Sequence, residues 1–178
     1  NFARLRFWMQ APDTAAPVSN KARNQLAARG AGWMFLRYVI DHFSNNNAKG
    51  FLRNLVRGPD IGVRNLLQHV NGAQFDELVR GFLVSQYVSG LGIPGLDARL
   101  AMRSWNVRDA LTNYNSGTFP LVVKALPGAI TTKSLSSSGN YFRLTTTGPL
   151  PQTTFSMTAP SGGQVSFGAP QVIVVRVN

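Results

Sequence analysis

Apolar positions change their rhythm once along this chain. Over the first ninety residues they return every three or four places, the period of a helix face; later they fall in short β-branched or alternating runs. "NFARLRFWMQ" predicts a helix stopped by Pro12 and Pro17. Ser19 or Asn20 is placed to cap a long helix that runs to about Phe43. Its stripe is Leu26, Gly30, Trp33, Leu36, Ile40 and Phe43, with Phe35 and Val39 on a second apolar face, so burial on most sides is expected. Arg37 and Asp41 stand i,i+4 on what remains and form a structural pair able to neutralise each other.

"SNNNAKG" is turn chemistry in which an Asn caps the next helix, "FLRNLVRG", a short amphipathic element closed by Gly58-Pro59. "GVRNLLQHVNG" repeats that plan and ends at Gly72. In "AQFDELVRGFLVSQYVSG" the stripe is Phe75, Leu78, Val79, Phe82, Leu83 and Gln86, with Asp76 and Glu77 in the first turn where the helix dipole favours acids. "GLGIPGLDARLAMRSWNVRDALTNYNSGTFP" shows little regular pattern and is expected to be a linker. Beyond it, "PLVVKAL", "ITTKSL", "NYFRLTTT", "TTFSMTA" and "QVIVVRV" lie between Gly, Pro and Ser turns, which predicts five or more antiparallel strands. Alternation places Tyr141, Arg143 and Thr145 on one strand face and Phe142 and Leu144 on the other.

The expected fold class is therefore α+β: an N-terminal bundle of four to five helices, then a small antiparallel β-sandwich or partial barrel. The corresponding domains are a helical subdomain at 1–95, a linker at 96–118 and a β module at 119–178.

Charge sharpens the division. The chain has 18 Lys+Arg against 7 Asp+Glu, a net charge of +11, and every acid lies at or before Asp109. Fourteen of the bases are Arg, which favours bidentate pairing with carboxylates or phosphates. Such an excess implies an acidic partner: a protein surface, an anionic membrane face or nucleic acid. The absence of cysteine excludes disulfides, thiolate metal sites and a Cys nucleophile. No apolar run approaches the roughly 20 residues of a membrane span, so no transmembrane segment is expected. No leader peptide is visible, and a start at Asn1 rather than Met reads as a processing site or the edge of a longer chain.

Taken in order, "LAARGAGWMFLRYVIDHF", "GFLRNLVRGPDIGVRNL", "FDELVRGFLVSQYVSG" and "MRSWNVRDAL" resemble the C-terminal part of secreted bacterial zinc metallopeptidases of the hyicolysin-like group. "NYFRLTTTG" is similar to the strand module that follows in many of them. The resemblance implies a metal site made by an HExxH helix and a further acid, both upstream of the matched region. This sequence holds no HExxH, so the resemblance carries no catalytic residue across. His42 and His69 stand 27 positions apart on different predicted helices and do not make a zinc site, which typically needs three protein ligands and an open position.

Other candidates have ordinary explanations. Asp76 and Glu77 point about 100° apart on a helix and so form no carboxylate pair. Arg103, Arg108 and Asp109 around Trp105 are expected to form a structural polar knot bracing the two halves. No serine sits in a GxSxG elbow, and no glycine run matches a phosphate loop. Arg53 and Arg57 lie one turn apart, and with Arg64 they make a candidate basic patch for partner binding. The remaining arginines are scattered over several helices, which disfavours nucleic acid.

The expectation is an exported, periplasmic or extracellular bacterial protein without catalytic, metal or cofactor residues, built on a peptidase-like scaffold. It would dock as a structural subunit onto protein subunits of a larger assembly, for example a respiratory or photosynthetic membrane complex, or onto an anionic membrane face. The alternative is a C-terminal fragment of an active zinc metallopeptidase whose HExxH helix precedes Asn1.

Overall fold

The computed structural model describes residues 1–18, 25–126, 132, 134–145, 158, 161–163, 165 and 170–177. Among them are six α-helices: α1 (Phe2–Gln10), α2 (Gln25–Phe43), α3 (Ala48–Arg57), α4 (Gly62–Leu67), α5 (Phe75–Val88) and α6 (Val107–Tyr114). A 3₁₀ turn covers Ala98–Leu100, and two strands follow, β1 (Lys124–Ala125) and β2 (Phe142–Arg143). The capping positions named for the start of α2, Ser19 and Asn20, lie outside the described residues.

α1 and α2 form the tightest pair in the molecule, and small residues explain it. Ala27, Gly30 and Ala31 line the side of α2 that meets Leu5, Trp8 and Met9 of α1, all of them buried. A Cβ on Gly30 would overlap the backbone of Arg4 and Leu5, so only glycine permits this approach. The consequence is a rotation of the core stripe. α2 buries Ala27, Gly30, Ala31, Met34, Phe35, Tyr38 and Val39, whereas Leu26 of the expected stripe is 46% exposed and Trp33, Leu36, Ile40 and Phe43 are half-buried. Large side chains set the expected stripe; close helix approach sets the real one.

α5 runs through the middle and is buried on most of its faces, with Leu78, Val79, Phe82, Val84 and Val88 in the core. Gln74 and Glu77 close a capping box at its start. Phe82 meets Trp8 at a ring-centroid distance of 5.3 Å and Phe35 at 5.5 Å, tying α1, α2 and α5 together. The Trp8 indole N–H is satisfied by Ala15 O at 3.0 Å.

Two expectations need correction. The stretch expected as a linker contains α6, capped by Asn106, whose Oδ1 accepts from Asp109 N at 3.2 Å. Val107 and Leu111 anchor it completely in the core. The antiparallel sandwich or barrel is also overturned: the described residues hold only two strands of two residues each, paired in parallel with Lys124 opposite Phe142. Besides the donors that pair β1 with β2, three backbone donors of this region go to α1 and the loop after it. Val122 N donates to Met9 O at 2.9 Å, Leu135 N to Asp13 O at 3.2 Å and Gly139 N to Pro12 O at 3.4 Å. Leu121 is buried in the core, and the Tyr141 hydroxyl donates to Leu83 O at 2.8 Å. β-branched composition favours a half-buried extended backbone without deciding what it pairs with. Of the other expected strands, residues 171–177 carry no strand, and most of 153–159 lies outside the described residues.

Candidate functional site

Two regions of polar side chains compete as a site, and they differ in whether their hydrogen-bonding capacity is already used. The first is the outer face of α2. Arg37, Tyr38, Asp41 and His42 occupy successive turns and all reach one segment, residues 99–104. The Tyr38 hydroxyl donates to Arg99 O at 2.6 Å, and His42 Nε2 lies 2.9 Å from Ala101 O. A carbonyl only accepts, so Nε2 carries the proton in this contact. Asp41 Oδ2 accepts from the amides of Arg103 and Ser104, each at 3.1 Å, and Arg37 donates to Ser104 Oγ at 3.4 Å. A Cβ at Gly81 would land on the Tyr38 hydroxyl, so that glycine keeps the Tyr38–Arg99 contact open.

Arg37 and Asp41 therefore direct their contacts to this segment, with no ion pair between them among the described residues. The Arg37 guanidinium also lies 5.8 Å from the Trp33 ring centroid and 5.3 Å from that of Trp105. Burial pushes the Tyr38 hydroxyl pKa up to about 12. Burial also holds His42 below the ordinary imidazole value. These shifts follow from packing.

The residues expected as a polar knot divide between two places. Trp105 belongs to an aromatic group with Phe2 at 5.2 Å and Trp33 at 5.8 Å. Arg108 instead closes the end of α5, donating to Tyr87 O at 2.6 Å and Ser89 O at 3.0 Å while lying 4.2 Å from the Phe119 ring centroid. Asp109 is held by its own helix cap through Asn106 Nδ2 at 2.9 Å, and the Arg103 side chain is exposed.

Beside the segment clasped by α2 lies an open groove of about 540 Å³, bordered by Val88, Ile93, Leu96, Met102, Arg103 and Trp105. A second cleft of about 270 Å³ sits among Phe35, Leu36, Leu55, Val63 and Leu66. Neither lining includes a His, Asp or Glu. Ser89 and Ser104 border the first groove, but their hydroxyls already accept from Val107 N and Arg37. No three His, Cys, Asp or Glu side chains among the described residues are grouped to hold a metal. His69 packs edge-on against Phe51 at 6.1 Å, and its buried Nε2 has no hydrogen-bond partner among the described residues.

The second region is the outward face of α3 with the turn leading into α4. Asn47 caps α3 by accepting from Gly50 N at 2.9 Å, Gly58 ends it, and Phe51 anchors it to the core. Arg53 and Arg57 are exposed and have no ion pair among the described residues. Arg64 lies in α4, which is fixed to α3 by Asn65 Nδ2 donating to Leu55 O at 2.7 Å. Its side chain is 82% exposed and reaches Asp60 at only 3.7 Å. The sequence-predicted bases thus belong to adjoining elements and face solvent.

What the sequence did not single out is apolar: Val56 is 83% exposed and Ile61 87%, with Leu52 also on the surface. The available signal was position relative to the anchored face. Val56 lies off the α3 face that carries Phe51 and Leu55, and Ile61 lies in the turn after Gly58-Pro59. No helix among the described residues is long and apolar enough to cross a membrane. Comparison with known proteins gives no matching family model, no matching curated protein and no matching solved structure.

Proposed function

We propose that this protein is a non-catalytic docking subunit, exported and seated against an acidic partner at the face of a bacterial membrane assembly. A scaffold of peptidase-like ancestry would serve here only as a support. The observation that carries this reading is the uncommitted basic face of α3, where Arg53 and Arg57 stand exposed without a carboxylate partner among the described residues. Arg64 adds a third guanidinium held by only a distant surface pair. The polar groups on α2 offer little for recognition, since they already hold residues 99–104. Exposed charge of one sign steers association and fixes orientation more than it adds affinity.

Purification under low salt tests the proposal. The protein is expected to travel with a larger membrane-associated complex, to leave it as salt rises towards about 1 M, and to cleave no peptide when zinc is added. Retention unchanged through that salt range would overturn docking by charge, and zinc-dependent peptidase activity would overturn the non-catalytic reading.

A further inference from the structure

The exposed bases on α3 do not stand alone. On a helical wheel Lys49, Arg53 and Arg57 fall within about 80° of one another, opposite Phe51 and Leu55, which face the body. They form a row roughly 12 Å long, given about 1.5 Å of rise per residue. Leu52 and Val56 occupy one shoulder of that row, and Ile61 projects from the turn that follows. The sequence from 42 to 59 contains no acid, and Asp60 is occupied by Arg64 and by Gln68 Nε2 at 2.5 Å.

We propose that this face rests on an anionic lipid surface, with the bases at phosphate depth and Val56 and Ile61 entering the boundary below the headgroups. The inference rests on the docking reading above and names its partner. Charge complementarity argues for an acidic surface, and the form of the apolar groups argues for lipid. A protein partner of standard size covers about 800 Å² with a contiguous apolar centre. Here a few exposed aliphatic side chains flank a row of bases. A headgroup layer accommodates that arrangement: arginine forks bind phosphate, aliphatic stems lie along the acyl boundary, and no matching pocket is required. Nearby bases then add attraction that salt screens.

Sedimentation of the full chain with vesicles tests this directly. Vesicles of 30% phosphatidylglycerol in phosphatidylcholine should carry the protein down at low salt, and pure phosphatidylcholine should not. Arg53→Gln and Arg57→Gln should each weaken binding by about fivefold, from about 1 kcal/mol per base near the surface. Val56→Asp with Ile61→Asp should weaken it by about tenfold or more, with the circular dichroism melt unchanged. Because the chain has no cysteine, Val56→Cys takes a single environment-sensitive fluorophore, whose emission should shift to the blue on the anionic vesicles only.

Equal binding to both lipids, or an unshifted probe on vesicles that do bind, would overturn the inference. No vesicle binding together with salt-sensitive retention in a complex would identify an acidic protein surface as the partner. That result would refute the lipid inference and leave the docking reading standing. Loss of both would refute both.

Discussion

α2 and α3 both carry charged residues one turn apart on a partly apolar helix, and they use them in opposite ways. On α2, Arg37 and Asp41 are drawn into contact with residues 99–104, together with Tyr38 and His42. On α3, Arg53 and Arg57 touch no carboxylate among the described residues. What passes over each helix accounts for the difference. α2 has nineteen residues, enough to bury one face against α1 and still offer a second to a returning loop. α3 has ten, anchors itself through Phe51 and Leu55, and exposes most of the rest. The contrast teaches that identical charge spacing is spent on architecture where chain passes over it and stays available where none does.

Breaking the α2 side should have the largest effect. Gly30→Ala is expected to cost about 1–3 kcal/mol, because the new methyl meets the backbone of α1 and no side chain can move aside. The loss should appear in urea unfolding despite alanine's propensity advantage of about 1 kcal/mol. Asp41→Ala should cost about 1 kcal/mol by removing the acceptor of two amides, and Asp41→Asn should restore most of it. Hydrogen exchange at Arg103 and Ser104 would locate the effect, which should be absent elsewhere.

A smaller effect should follow from pH. Burial lowers the His42 pKa in the folded state below 6.5, so the unfolded chain takes the proton more readily. The stabilising contribution is present above about pH 6.5 and declines as pH falls through the folded value. Melting temperatures between pH 7.5 and 5 should therefore drop more for the native protein than for His42→Gln, since Asp41, Asp97 and Arg103 around the ring remain in both. The smallest effect is expected on α3: Arg53→Gln with Arg57→Gln should change stability by less than about 0.5 kcal/mol for each substitution. A marked loss of stability there would mean that α3 supports the fold as α2 does.

Much of the helical body was legible in the sequence. Asn47, the Gly58-Pro59 stop, the first-turn acids of α5 and the end of α1 before Pro12 are local signals, and local backbone chemistry decides them. α6 was missed because only Val107 and Leu111 mark its inner face, too few to establish a period. Gly30 was on the expected stripe, but the face of α2 was misjudged because Ala27 and Ala31 carry little hydrophobic weight, yet with Gly30 they permit the closest packing. The strands were misjudged for a different reason: Thr and Val record a preference for extended backbone, and several of the partners that satisfy it lie more than a hundred residues away. At the candidate site Arg53, Arg57 and Arg64 could be named in advance, while Val56 and Ile61 could not. Exposure of an aliphatic side chain is set by what fails to cover it.

That distant pairing also bears on the order in which the molecule can be made. Lys124 Nζ reaches Asp13 at 3.1 Å, Thr132 Oγ1 at 2.9 Å and Asn140 Oδ1 at 3.0 Å, and Ser138 Oγ reaches Asp13 O across 125 positions. Helices α1 to α5 can begin to associate as they leave the ribosome, but the loop after α1 must wait for residues 122–140 to emerge before its carbonyls and carboxylate are met. At a synthesis rate of about 5–20 residues per second, that wait is about 6–25 seconds. Throughout it, the surface around Met9, Pro12 and Asp13 is open to water, proteases and chaperones. The loop after α1 is thus protected only once residues 122–140 have folded back onto it.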